Sequence, residues 1–439
     1  MVERLKAFGS KSLGKFVAKG SVTRNITLIA GGTIIGQAAT LVVLPLLTRL
    51  YTPADFGAMA IFLALLVPLN AVASLRYEMA IPLPDSERDA QHLLLLALLI
   101  VVGLSGLLSL LVVFFAEGLL ERVNGMALLG YLWLLPLALL GGGCYHALSH
   151  YAIRVQAFRT IAQTKITQGV GQGLSQALLG LTSIGLLGLL LGLLVRFWGG
   201  MVALVKLVVA DMRIQGWQLR WSTLERVART YKRFPLFSSG GTFLQVASSH
   251  LPAFFLAAFF TPQIAGWFSL GQRVLEAPIT FLAKSSAQVY LSEASAVTKA
   301  GGNLRPLLQD TMRRQGSIGL LLVIGVMLPA PWLFPWLFGE AWAVSGRYVQ
   351  VLSMTFFSQF LVQTVTAETL AITGQQHWQL VGEVLRVVSV VSVFLLGRHW
   401  AQDALWTVTT YALVSLVLYA FQLAVTWWAA GRVSIYVRE

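Results

Sequence analysis

Cysteine and charge are what this chain has least of. A single cysteine, Cys144, stands among 439 residues. It excludes an internal disulfide and a cysteine-rich metal site, and says nothing about redox compartment. Charged residues make up 11% of the chain, where a soluble domain carries roughly a quarter. A soluble globular protein is therefore excluded. No phosphate-binding GxxxxGK[ST] loop, no GxSxG elbow and no Cys/His cluster occurs, so nucleotide hydrolysis by this chain is not indicated. His146 and His150 stand four apart, but zinc normally needs a third protein ligand and none is evident. No metal and no other cofactor is expected. Long polar segments on one face are also missing. The longest loop on the outer side lies near 116–125 and leaves no room for an external catalytic domain. That weighs against a membrane glycan polymerase or ligase, and the chain is not read as an enzyme.

Apolar sequence is what the chain has in abundance: 56% hydrophobic residues. Twelve segments are long enough to cross a hydrocarbon layer of about 30 Å. They lie near 24–47, 56–75, 91–115, 126–148, 160–181, 184–205, 234–259, 264–290, 316–338, 347–373, 378–397 and 404–430. The fold class is an all-α polytopic membrane protein. With the amino terminus inside, twenty-four of the 32 Lys and Arg fall on the cytoplasmic side. This asymmetry is the positive-inside rule, and it places both termini in the cytoplasm. It also accounts for the net charge of +14 without nucleic acid, leaving anionic phospholipids as partners of the basic surface.

The chain repeats itself. An offset of 209 positions carries Arg24 onto Arg233, Gly31-Gly32-Thr33 onto Gly240-Gly241-Thr242, Thr52-Pro53 onto Thr261-Pro262 and Gly57 onto Gly266. A duplicated hydrophobic bundle is the mark of a transporter whose halves rock about a central site. The expected organisation is a basic amphipathic segment at 1–23, an N-lobe of six spans at 24–205, a basic linker at 206–233, a C-lobe of six spans at 234–430, and a tail at 431–439. The two lobes are expected to be pseudo-symmetric around a central cavity. No cleavable signal peptide is visible at the start; residues 2–19 read either as an interfacial helix or as a basic tail. The linker mixes Trp217, Leu219, Trp221 and Leu224 with basic residues. It reads either as a surface-lying helix or as a solvated loop.

Ionisable groups within apolar spans are costly, and they usually face a cavity or a partner. Arg273 and Glu276 stand three apart in the eighth span, either as a cavity cation and its neighbour or as a neutralising pair. Glu383 and Arg386 repeat that spacing in the eleventh span and read as a structural pair. Lys284 either faces the cavity or reaches the cytoplasmic interface. Arg196 reads as an interfacial anchor. Glu368 lies deep in the tenth span without an evident partner and either titrates or joins a polar cluster. Glu276, Glu368, Glu383 and Glu78 are the candidate coupling carboxylates. Polar stripes on the fifth span (Gln168, Gln172, Ser175, Gln176) and the tenth (Gln359, Gln363, Thr366) either bond helix to helix or contact sugar. Arg24 and Arg233 open their lobes at equivalent positions, either flanking an inward mouth or anchoring the spans.

The segments LPLLTRLYTPADFG (44–57), RYEMAIPLP (76–84), RVQAFRTIAQTKITQG (154–169), AGWFSLGQRVLEAP (265–278) and LFGEAW (337–342) occur in this order. In them the chain resembles the Wzx-type polysaccharide-repeat flippases of the multidrug/oligosaccharidyl-lipid/polysaccharide (MOP) exporter superfamily. The resemblance covers nearly the whole chain. It implies a cationic cavity between two lobes and an undecaprenyl-diphosphate-linked oligosaccharide moved between leaflets, for O-antigen or a related glycan. It further implies Arg49, Arg76 and Arg273 as diphosphate cations, with Glu78 beside them, and a glycan polymerase and chain-length regulator as partners. Arg24 and Lys284 complete the candidate cations. A lipid II flippase or a drug exporter of the same superfamily is the alternative; a drug exporter calls for an acidic cavity, and the buried charges lean basic.

Overall fold

The computed structural model describes residues 28–216 and 220–432, and among them there are helices and turns but no strand. The predicted segment 1–23, Arg24, Trp217, Leu219 and most of the tail lie outside the described residues.

The helices are α1 (Leu28–Leu50), α2 (Pro53–Ala71), α3 (Glu87–Arg122), α4 (Leu134–Arg154), α5 (Phe158–Gly180), α6 (Leu186–Trp198), α7 (Met201–Gln215) and α8 (Trp221–Thr230). After these come α9 (Ser239–Phe259), α10 (Pro262–Lys299), α11 (Leu304–Met327), α12 (Ala330–Phe338), α13 (Ala343–Ile372), α14 (His377–Leu396) and α15 (Ala404–Ala430). Taking α6–α7 and α11–α12 each as one broken span gives twelve helical runs of spanning length, as the sequence predicts. Seven are apolar enough to cross a membrane by composition alone, and the pair α11–α12, bent by 62°, makes an eighth. The remaining four, α4, α5, α10 and α13, are diluted by polar residues. Some of those residues line cavities inside the bundle and others bond to neighbouring groups, as Tyr151 and Gln176 do, which is how such groups are tolerated.

The duplication becomes physical where the two halves meet. Each half opens its second helix the same way. Thr52 caps α2 by accepting from the Asp55 amide (3.2 Å), and Asp55 accepts from the Thr52 amide (2.9 Å). This closes a capping box, with Pro53 at the first helical position where no amide is needed. Thr261 caps α10 by accepting from the Ile264 amide (3.3 Å), followed by Pro262. The two helix starts then lie against each other. A Cβ on Gly57 would overlap the Pro262 carbonyl, and a Cβ on Gly266 would overlap the Pro53 carbonyl. These are reciprocal contacts at the repeat offset, and glycine is the residue that permits the backbones to touch.

Two further side chains bond the lobes at repeat-equivalent carbonyls. Trp342 donates through Nε1 to the Thr48 carbonyl at the end of α1 (2.9 Å). Asn124 donates through Nδ2 to the carbonyls of Ala257 and Ala258 at the end of α9 (3.3 and 3.1 Å). Thr48 and Ala257 are repeat-equivalent positions. Phe56 meets Trp342 edge-on, with centroids 4.9 Å apart. The lobes are thus sealed at the end where α1 turns into α2 and α9 into α10, which we term the hairpin end.

The opposite end carries the connector. α7 continues to Gln215, past the predicted end of the sixth span near 205, because Leu204 and Val208 are buried in the N-lobe and Tyr151 donates to Asp211 (2.6 Å). α8 is helical and lies on protein. Leu224 and Val227 are buried, Arg226 pairs with Asp89 (2.6 Å), and Tyr77 donates to the Ala228 carbonyl (3.0 Å).

Candidate functional site

The polar faces of α4, α5 and α10 converge on a cavity of about 490 Å³ between the lobes. α1 contributes Gln37 and Thr40, α2 Asn70, α4 Tyr145 and His146, α5 Lys165, Gln168 and Gln172, α6 Arg196, α9 His250, and α10 Gln272, Arg273 and Glu276. Three cations and one carboxylate line it. Among the described residues none of the three cations has a carboxylate within ion-pair distance. Arg196 takes a hydrogen bond partner in the Gln172 amide oxygen (3.4 Å). Lys165 sits over the Tyr145 ring, 4.6 Å from its centroid. Arg273 reaches across to the other lobe, over the Phe56 ring (5.8 Å) and against the Met59 sulfur (3.8 Å). Glu276, one turn along α10, is not among its ion-pair partners, so of the two sequence readings for this pair the neutralising contact is not formed.

A second cavity of about 460 Å³ lies within the C-lobe, between α9, α10, α13, α14 and α15. It collects Lys284, Gln359, Gln363, Glu368 and Glu383 from the candidate residues, together with Arg386. Glu383 and Arg386 form the i, i+3 pair expected of them (3.7 Å). Glu368 has one buried carboxylate oxygen without a hydrogen-bond partner. A small constricted space between the two cavities is lined by Gln272 and Glu276, which also line the central cavity, and by Gln359 and Arg386, which also line the C-lobe cavity.

The other candidates lie elsewhere. Arg49 is exposed at the hairpin end of α1, away from either cavity lining. Arg76 takes a left-handed conformation (φ 65°) in the loop after α2 and pairs with Glu78 (3.6 Å). Glu78 is buried and accepts from the Ser74 hydroxyl. That loop is fixed by Arg154, which donates to both Glu87 oxygens (2.9 and 3.1 Å) and to the Pro84 carbonyl (2.6 Å). Arg24 lies outside the described residues, and its repeat mate Arg233 is exposed beside the connector. The fifth-span stripe divides. Gln168 donates to the Gly199 carbonyl (3.2 Å) and Gln176 to the Leu189 carbonyl (2.9 Å), both toward α6, whereas Ser175 lines a separate apolar groove.

Two cavity residues are corrections to the sequence reading. Arg196, expected as an interfacial anchor, lines the central cavity, because α6 ends at Gly199-Gly200 and α7 continues the span, so that Arg196 stands mid-span. Lys165, counted among the cytoplasmic basic residues, lies about two turns inside α5 and lines the cavity. Its spacing to Gln168 and Gln172 places all three on one helix face. That register was the available signal.

The model of a polysaccharide biosynthesis protein family matches residues 46–347. The chain belongs to that family. A search of curated proteins finds no match. Among solved structures, the fold is similar to an inward-facing multidrug resistance MATE family transporter of the MOP superfamily. The TM-score is 0.62 at 14% identity, covering 93% of this chain and 94% of the other. An outward-facing structure described in the same words gives 0.56 at 12%, covering 93% and 95%. A MOP superfamily transporter from Pyrococcus furiosus, described by the reverse polarity of its binding pocket, gives 0.59 at 13%, covering 94% and 96%. This polysaccharide biosynthesis protein is thus a multi-pass membrane protein with the MOP transporter fold.

Proposed function

We propose that this protein moves an undecaprenyl-diphosphate-linked oligosaccharide repeat unit from the cytoplasmic to the outer leaflet of the inner membrane, for O-antigen or another surface polysaccharide. The observation that carries the proposal is the trio Lys165, Arg196 and Arg273, unpaired with carboxylates, in one cavity between the lobes. Unpaired cations in a bundle are expensive, and a diphosphate would repay them. Arginine offers a two-pronged donor to phosphate oxygens. A drug or cation exporter calls for the opposite charge.

The mechanism is alternating access by the lobes 24–205 and 234–430, joined by 206–233. The connector end faces the cytoplasm, as do both termini. The hairpin end is sealed by Trp342, Asn124 and the Gly57–Gly266 contact, so this arrangement receives substrate from the cytoplasmic side. The headgroup enters the cavity while the polyprenyl tail stays in the bilayer. Arg273, the one cation that bridges to the opposite lobe, senses the diphosphate. Outward opening then requires the hairpin-end bonds to part. Glu276, between the cations and the constriction, is the best-placed coupling carboxylate. Anionic phospholipids hold the basic connector, and a glycan polymerase with its chain-length regulator takes the product.

The test is Arg273→Ala in the native host. Surface polysaccharide should fall and the lipid-linked intermediate should accumulate in the cytoplasmic leaflet. Normal surface polysaccharide without accumulation would remove the arginine, and with it this reading.

A further inference from the structure

The C-lobe cavity has a chemistry of its own. Six glutamines line it, contributed by α9, α10, α13, α14 and α15. Among the described residues, none of these six side-chain amides has a hydrogen-bond partner in the protein. Each amide offers two donors and a two-lone-pair acceptor. Inside a membrane bundle such groups normally bond to a neighbouring helix, as Gln168 and Gln176 do in the N-lobe. Here they are left facing the space.

Trp378 lines the same cavity at the start of α14, held edge-on by Phe421 (6.4 Å) and Trp428 (6.3 Å). The charges balance: Lys284 and Arg386 against Glu368 and Glu383. A cavity of 460 Å³ lies within the range of roughly 300–1,000 Å³ that takes small organic ligands. Amides that donate and accept, an aromatic ring and no net charge match a neutral, hydroxyl-rich molecule.

The position indicates which molecule. Arg273, Glu276, Thr280, Lys284 and Gln288 recur at helical spacing along one face of α10. The first three line the central cavity and the last three the C-lobe cavity. Arg273 to Gln288 is about 22 Å along the axis, the scale of a short oligosaccharide. We infer that the C-lobe cavity is the saccharide subsite for the glycan of the lipid-linked substrate, with the diphosphate held at the other end of the same α10 face. This rests on the proposed function and divides its substrate between two cavities.

The experiment measures binding by native mass spectrometry of the full chain in nanodiscs. Three probes are used: undecaprenyl diphosphate, the lipid-linked repeat unit purified from cells lacking this protein, and the free repeat-unit oligosaccharide released from it by mild acid. The parent protein should bind the sugar-bearing lipid about tenfold or more tighter than the bare lipid diphosphate, as two or three amide bonds provide. In Gln359→Ala/Gln363→Ala/Gln422→Ala that preference should fall toward unity with bare-lipid affinity unchanged, which also reports that the variant is folded. Gln363→Ala alone, at an exposed position, should lose part of the preference. An undiminished preference in the triple variant, or none in the parent, overturns the inference. Equal bare-lipid affinity in Arg273→Ala and parent overturns the diphosphate reading instead. The free oligosaccharide then decides the C-lobe cavity by itself: binding to the parent that the triple variant loses sustains it, and no binding to either ends it.

Discussion

The glutamines of α5, beside the central cavity, and those of α13, in the C-lobe cavity, are used in opposite ways. On α5, Gln168, Gln172 and Gln176 spend their side chains on Gly199, Arg196 and Leu189 across the α5–α6 contact. On α13, Gln359 and Gln363 spend theirs on no protein group and face open space. The central cavity has three cations to one carboxylate, while the C-lobe cavity balances two against two. A glutamine stripe on a membrane helix is therefore not one signal. Its meaning depends on whether a second helix lies within reach of the amides.

The contrast can be broken most forcefully at the cations. Lys165→Ala/Arg196→Ala removes two of the three from the central cavity. Binding of undecaprenyl diphosphate should weaken about a thousandfold, at the lower end of what losing two buried charged contacts costs, while free oligosaccharide binding is retained. Loss of both in the same titration would merge the two cavities into one site.

The hairpin-end seal should respond next. Gly57→Val and Gly266→Val each push a side chain into the opposing proline carbonyl. Overpacking of this kind costs about 1–3 kcal/mol. The two variants should behave alike, because the contacts are reciprocal. Hydrogen exchange is expected to rise in both at 48–60 and 257–270; a rise in only one segment per variant would show the seal to be asymmetric.

A smaller effect sharpens the glutamine comparison itself. Gln176→Leu removes the bond to Leu189 and should cost about 0.5–2 kcal/mol of stability, read as a lower melting temperature in detergent. Gln363→Leu breaks no protein bond and should leave melting unchanged. Equal melting of the two would mean that the amides are used alike. The smallest difference separates the repeat-equivalent caps. Thr52→Ala should cost about 1 kcal/mol and Thr261→Ala about 0.5 kcal/mol, since only Thr52 sits in a complete capping box; denaturant titration of the two variants checks the order.

Much of the fold was legible because hydrophobic runs and their punctuation are local. TPADFG encodes a cap, a helix-starting proline, a capping acid and a close-contact glycine within six residues, and its second copy encodes most of the same. Cavity-lining residues were legible where a charge interrupted an apolar run, as at Arg273, Glu276, Glu368 and Glu383. Lys165 was not, because a lysine near a span's end satisfies the charge-asymmetry rule as well as it satisfies a cavity. Arg196 was missed because its span breaks at Gly199-Gly200 and continues as α7, so the apparent end was a midpoint. Arg49 and Arg76 stand in motifs whose structural duties, at a helix end and in a pinned loop, look the same in one dimension as substrate duties.

By itself the sequence determined that the chain is a duplicated set of membrane helices, since hydropathy, repeat offset and capping are properties of neighbouring residues. Tertiary structure alone decided which amides are consumed and which are open, which cations share a space, and that the hairpin ends close on each other. Those outcomes depend on distances between helices far apart in the chain, and a polar side chain's role is set by whether a partner stands within about 3 Å.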